Sequence, residues 1–206
     1  MGFCGVHEAF GDGAAQVKLP SNRVTFLVRD TLPGIARDDL EAACLEAWKR
    51  WERVIGITVD KHPNNKTDAT QIVTVANLGG PGGVLADQAL PYGAGVNLRM
   101  RLDANERWII SDDPPAGRIN LLAVLCHEDG HCLGMQHIAA NGTPDLLNPT
   151  YSPVIYQPQT DDISYGVKLY GKPLPQPNPT PPASKPVIVT VEQDGRRWQG
   201  PIPRIA

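Results

Sequence analysis

Eleven consecutive residues, His127-Glu128-Asp129-Gly130-His131-Cys132-Leu133-Gly134-Met135-Gln136-His137, hold three of the five histidines of the chain. On a helix, His127 and His131 stand one turn apart on one face, so both imidazoles can reach a single ion. Glu128 projects beside them, placed to take a proton from a water on that ion. Gly134 can adopt the left-handed backbone that ends a helix and swings the chain round, which brings His137 to a third ligand position. Three neutral imidazoles leave a fourth position for water, the arrangement of a catalytic rather than a structural zinc site. Zinc brings the pKa of such a water down towards ~7, so hydroxide is available near neutral pH. A bare His-Glu-x-x-His arises by chance on ordinary helices. The extended form, with Gly134 and His137 at their offsets, is a far stronger signal for one catalytic Zn2+ and hydrolysis.

These groups need a scaffold. Residues 119–133 read as the helix that carries the first two ligands. Upstream, Val24, Phe26 and Val28 alternate with polar neighbours as in a strand. Over residues 37–54, Leu40, Ala43, Cys44, Ala47, Trp51 and Val54 recur at helical spacing, with Asp38 and Asp39 suiting the first turn. Short strands are expected at 57–59 and 71–75. After the turn residues Gly79-Gly80-Pro81-Gly82-Gly83 come extended pieces around 96–102 and 107–110. Residues 160–170 form a third helix with Thr160 as its N-cap. This order predicts an α/β fold (mixed α+β), helices packed on a mixed sheet.

The eleven-residue stretch is the signature of the metzincin zinc endopeptidases, and its surroundings resemble the matrixin branch, the matrix metalloproteinases. Asn120-Leu121-Leu122-Ala123-Val124-Leu125-Cys126 is similar to that family's active-site helix. Leu146-Leu147-Asn148-Pro149-Thr150-Tyr151 resembles its Met-turn and the Pro-x-Tyr wall of its specificity pocket. Asp161-Asp162-Ile163 through Leu169-Tyr170-Gly171 looks like its closing helix. The resemblance covers roughly residues 20 to 171. It implies a twisted, mixed five-stranded sheet with three helices, and an extended peptide lying along an edge strand. Glu128 would be the general base, and Ala123, Pro149 and Tyr151 would line a pocket for a medium or large apolar side chain just after the cut bond.

The departures from the family pattern are specific. Leu147 stands at the Met-turn methionine, a swap that nearly conserves volume. Asp87 and Arg101 stand where histidines of a second, structural zinc would fall, so that zinc is not expected. Asp103 and Glu106 match half of a Ca2+ site, with Gly79 in place of an aspartate; the bland reading is two solvated turn carboxylates. Cys4-Gly5-Val6 resembles the cysteine switch that places a thiolate on the zinc, although the preceding Pro and Arg are missing. The bland reading of Cys4 is a terminal cysteine without a role.

Composition sets the outer limits. A formal charge of −3 gives no electrostatic case for nucleic acid, and no apolar run approaches the roughly 20 residues of a membrane-spanning helix. The opening residues lack the basic and apolar stretches of a secretory signal, while the family resemblance favours an extracellular or surface-associated site of action. Cys44, Cys126 and Cys132 read as buried small hydrophobes. The expected organisation is an N-terminal segment (1–20), a peptidase domain (21–171), a proline-rich linker (172–186) and a tail (187–206) forming a hairpin about Asp194-Gly195. One hairpin does not fold alone, so the tail should dock on its own chain, a second copy or a larger assembly. A protein or peptide substrate is the expected partner. The alternative is a structural module of a virion or surface assembly that reuses the fold, tethered by its tail and active or not.

Overall fold

A computed structural model describes residues 18–63, 68–91, 97–139 and 144–175, together with the backbone of residues 3–6, 188–193 and 196–201. The backbone divides into two compact units, Met1–Leu174 and Pro175–Ala206.

In the first unit, β2 (Arg23–Val28) is built from the expected alternation. Val24, Phe26 and Val28 are fully buried, and Leu27 is buried in a small cluster with Ala69 and Ile72. The chain crosses over through α1 (Arg37–Glu52) to β3 (Thr58–Lys61), which pairs parallel with β2. Next come β4 (Gln71–Ala76), β5 (Val84–Gln88) and β6 (Leu98–Asp103). Strand β4 lies parallel between β2 and β6, while β5 runs antiparallel to β6. The N-terminal piece β1 (Phe3–Val6) adds parallel to β5. The sheet order is therefore β1-β5-β6-β4-β2-β3, six strands where five were expected. The five are β2 to β6; the sixth comes from the N-terminal segment using the free backbone edge of β5.

Helix α1 buries Leu40, Ala43, Cys44, Ala47, Trp48 and Trp51. A large apolar side chain taken fully from water contributes about 1.5–3 kcal/mol, so the two tryptophans weigh heavily. Each also satisfies its indole N–H: Trp48 Nε1 donates to Gln71 Oε1 at 2.9 Å, and Trp51 Nε1 to the Cys126 carbonyl at 2.8 Å. The second bond ties α1 to α2 (Leu121–Cys132), whose twelve residues are all buried. Helix α3 (Thr160–Tyr170) closes the unit, Tyr170 Oη donating to the Leu133 carbonyl at 2.7 Å.

Several boundaries differ from the sequence reading. Strand β5 is absent from the sequence reading, because the glycines before it mask a short strand. Residues 119–120 are not helical: β8 (Ile119–Asn120) pairs with β7 (Trp108–Ile109) in a separate two-stranded sheet, and Asn120 then caps α2. The piece expected at 107–110 is thus two residues long and outside the main sheet. Thr160 is the first helical residue of α3 and not its cap. The cap is Gln159, whose backbone N–H donates to Asp162 at 2.8 Å. In the second unit, β9 (Ile188–Gln193) and β10 (Arg196–Pro201) pair antiparallel as a hairpin. Val96, most of the linker and the turn at Asp194-Gly195 lie outside the described residues.

Candidate metal centre

Helix α2 begins with Asn120 accepting the Leu122 N–H at 3.1 Å and ends where Gly134 takes a φ of 89°. That left-handed residue turns the chain so that His137 rejoins His127 and His131. Nδ1 of His127 lies 2.6 Å from the Leu146 carbonyl oxygen, and Nδ1 of His131 lies 2.7 Å from that of Met135. A carbonyl only accepts, so each Nδ1 carries the proton and each Nε2 keeps a lone pair. Those two lone pairs face each other at 3.0 Å.

One ligand atom from each of the three histidines lies within 4.8 Å of the others, and the buried Nε2 of His137 has no hydrogen-bond partner. Protonation would relieve the crowding, but burial opposes it. His127 is pushed down to about 4, His131 falls well below the ordinary imidazole range, and His137 is lowered too, burial being the first cause in each case. Three neutral imidazoles turned on one point are matched by a cation. Tetrahedral zinc, with Zn–N of about 2.0–2.1 Å, spaces its nitrogens about 3.3 Å apart, so the residues fit it. Among the described residues this is the one such group of histidine, cysteine or acidic side chains.

The supports of the site come from three elements. Leu146 N and Leu147 N donate to the buried Asp162 carboxylate at 2.8 and 3.0 Å, fixing the turn whose Leu146 carbonyl orients His127. Leu147 is fully buried beneath the helix: a Cβ on Gly130 would come within 2.6 Å of Leu147 Cδ2. Asp129, between the ligands in sequence, turns to the sheet and accepts from Gln71 Nε2 at 2.9 Å. Gln71 also donates to Gln88 Oε1 at 3.0 Å, so a buried polar chain links α1, β4, β5 and α2.

A family model described as Matrixin matches residues 18–171. The chain belongs to the matrixin family. It is 29% identical to matrix metalloproteinase-18 of Xenopus laevis over 192 residues, which is 88% of this chain and 40% of that protein. It is likewise 29% identical to stromelysin-1 of Equus caballus, over 85% of this chain and 38% of that protein. With macrophage metalloelastase of Oryctolagus cuniculus it shares 30% identity over 78% of this chain and 36% of the relative. This matrixin thus spans about two fifths of the length of the curated relatives it matches. The mixed sheet with three helices is the matrixin catalytic-domain fold, and the family implies zinc.

Beside the ligands of this matrixin lies a cavity of about 370 Å³, part of it open to solvent. His127, Glu128, Ala123 and Val124 from α2 and Leu85 from β5 line it, together with Pro149, Thr150, Tyr151, Ser152 and Ile155. Glu128 is fully buried. The structure therefore brings Glu128, Ala123, Pro149 and Tyr151 to one place. Leu85 and Ile155 were not singled out in the sequence, since no spacing rule links residues so distant in the chain.

Among the described side chains, the other candidates below do not line this cavity. Asp103 and Glu106 meet the glycine turn, accepting N–H bonds from Gly80 at 3.1 Å and Gly82 at 2.6 Å. Asp87 and Arg101 stand opposite each other across β5 and β6 and pair, with Arg101 Nε 2.8 Å from Asp87 Oδ1. Cys4 falls within β1, and of this residue the backbone alone is described. Cys44, Cys126 and Cys132 are free and buried, their thiols pushed well above the ordinary range by burial.

Proposed function

We propose that this matrixin is a zinc-dependent endopeptidase. The observation that carries the reading is the convergence of three neutral imidazoles beside a buried glutamate on the wall of a cavity. His127, His131 and His137 would hold the zinc, which when bound would supply Lewis acidity toward a water and the scissile carbonyl. Glu128 takes the proton from the attacking water and passes it to the leaving nitrogen. The backbone carbonyls of Leu146 and Met135 keep His127 and His131 in the tautomer that leaves Nε2 open. The cavity takes a medium or large apolar side chain from the residue after the cut bond, against Ala123, Pro149 and Tyr151.

Two further parts of the reading concern regulation and a second cation. Strand β1 runs along β5, whose Leu85 borders the cavity, and this supports Cys4 as the residue that withholds the fourth ligand position. Cys4→Ser should then raise the activity of the intact chain; unchanged activity sinks that part. A calcium ion would sit with Asp103 and Glu106, and a rise in melting temperature on adding Ca2+ to chelator-treated protein is the expected sign.

The main test is cleavage of a quenched peptide with an apolar residue after the scissile bond. Glu128→Ala should lower turnover by at least ~10²–10⁴-fold while one zinc per chain is retained. Zinc binding with no cleavage by the wild type, with its N-terminal segment intact or trimmed, would move the reading to a non-catalytic binding module.

A further inference from the structure

Pro149, Thr150, Tyr151, Ser152 and Ile155 line the cavity from one chain segment, and two bonds from Asn120 tie that segment to the start of α2. The backbone N–H of Asn120 donates to Tyr151 Oη at 2.8 Å. Its Nδ2 donates to the Pro153 carbonyl at 3.3 Å. Its Oδ1 is already committed, accepting the Leu122 N–H at 3.1 Å as the helix cap. Asn120 is fully buried, and its backbone is itself fixed, because β8 pairs with β7 at Ile109.

The residue type follows from these partners. The Leu122 N–H can only donate and the Pro153 carbonyl can only accept. One short side chain must therefore accept on one branch and donate on the other, which is what a carboxamide does. An aspartate would cap the helix equally well, so capping alone does not call for asparagine. What aspartate cannot do is hold Pro153.

We propose that Asn120 is a specificity-determining positioning residue: it fixes the distance of the Tyr151–Pro153 wall from α2, and so the width of the cavity that receives the side chain after the cut bond. Asn120 touches neither substrate nor metal and acts through Tyr151 and Pro153. The inference rests on the peptidase reading and gives its pocket a defined gauge. In Asn120→Asp the cap survives, the donor to Pro153 is lost, and an ionised carboxylate faces a carbonyl oxygen. The wall moves off, and large side chains lose contacts that small ones never made.

The test uses zinc-loaded full-length chain and peptides differing only in the residue after the cut bond: Ala, Leu or a longer aromatic side chain. Asn120→Asp should narrow the preference for the larger side chains by about tenfold, within the range that differences in apolar pocket contact provide. The loss should appear in KM rather than kcat, with one zinc per chain retained. Tyr151→Phe, which removes the other acceptor on the wall, should narrow the same preference and serves if Asn120→Asp folds poorly. Affinities of peptidyl hydroxamates with the same side chains, measured by calorimetry, give a second readout that needs no turnover. A flattened affinity ladder in the variants supports the proposal even if the wild type cleaves nothing, which would fail the peptidase reading alone. Folded, zinc-loaded variants that keep the wild-type ladder and peptide preference overturn it. A wild type that binds no zinc overturns both.

Discussion

Two histidines of the candidate metal centre, His127 and His131, are oriented by backbone carbonyls rather than by a carboxylate partner. The Leu146 and Met135 carbonyls fix the first two imidazoles, and Asp162 in turn fixes Leu146. Asp162→Ala should strip the acceptor from two buried N–H groups and from Gln159, costing about 1–3 kcal/mol or more. The loss would be read from urea unfolding, with a matching fall in zinc affinity by chelator competition. Leu147 makes a cleaner probe of packing beneath the ligands. Leu147→Ala should cost about 2–5 kcal/mol, because a fully buried side chain is replaced by a cavity under Gly130. Leu147→Met should cost less than about 1.5 kcal/mol. A large loss on Leu147→Met would show that the space under the helix does not admit an unbranched side chain.

Among the elements, α2 is unusual in being buried on every side, so its axial position is set by neighbours and not by an amphipathic stripe. Trp51 holds it from α1 through the Cys126 carbonyl, and Gln71 holds it from β4 through Asp129. The far ends of the flanking helices are joined at Gly56, which donates to the Gly171 carbonyl at 2.9 Å. A Cβ there would lie 2.5 Å from the Tyr170 carbonyl oxygen and 2.7 Å from that of Lys172. Both are backbone atoms with little room to yield. Gly56→Ala should therefore destabilise by about 1–3 kcal/mol, seen as a melting temperature several degrees lower. An unchanged melting temperature would mean that the α1–β3 and α3 termini can separate without cost.

At the scale of the whole molecule, the metal and the interior thiols report on one another. Cys126 and Cys132 lie on the helix that carries two ligands, Cys44 lies on α1, and all three are buried and held as thiols. The thiolate is the reactive form, so alkylation of these three in the zinc-loaded protein should require opening of the core. Bound zinc stabilises the native state by mass action, about 4 kcal/mol at a thousand-fold excess over its dissociation constant. Removing it with a chelator should speed alkylation at these cysteines and lower the melting temperature together. Site-resolved mass spectrometry checks this; labelling at an unchanged rate would dissociate the metal from the stability of the core. Among the described residues no helix is long and apolar enough to cross a membrane.

The grouping of the three histidines was legible because it is local. A helix places positions four apart on one face whatever lies around it, and a glycine at a fixed offset allows the return that brings His137 back. The same locality made β2 and α1 readable from the spacing of Val24, Phe26, Leu40, Trp51 and their neighbours. What failed were short or context-dependent pieces. The strand state of Val84–Gln88 exists only because β6 and the N-terminal segment pair with it. The strand state of Ile119–Asn120 exists only because Trp108–Ile109 lies alongside, so the helical pattern was extended two residues too far. The cap at Gln159 depends on a carboxylate one turn ahead and not on the residue type usual at that position. The buried chain from Trp48 through Gln71 to Asp129, and the hold of Asn120 on Tyr151 and Pro153, join residues tens of positions apart. The sequence by itself determined which groups are candidates to bind a metal and to move a proton. Only tertiary structure decided how those groups are held and how wide the cavity beside them is, because both depend on hydrogen bonds and packing between segments that no local spacing connects.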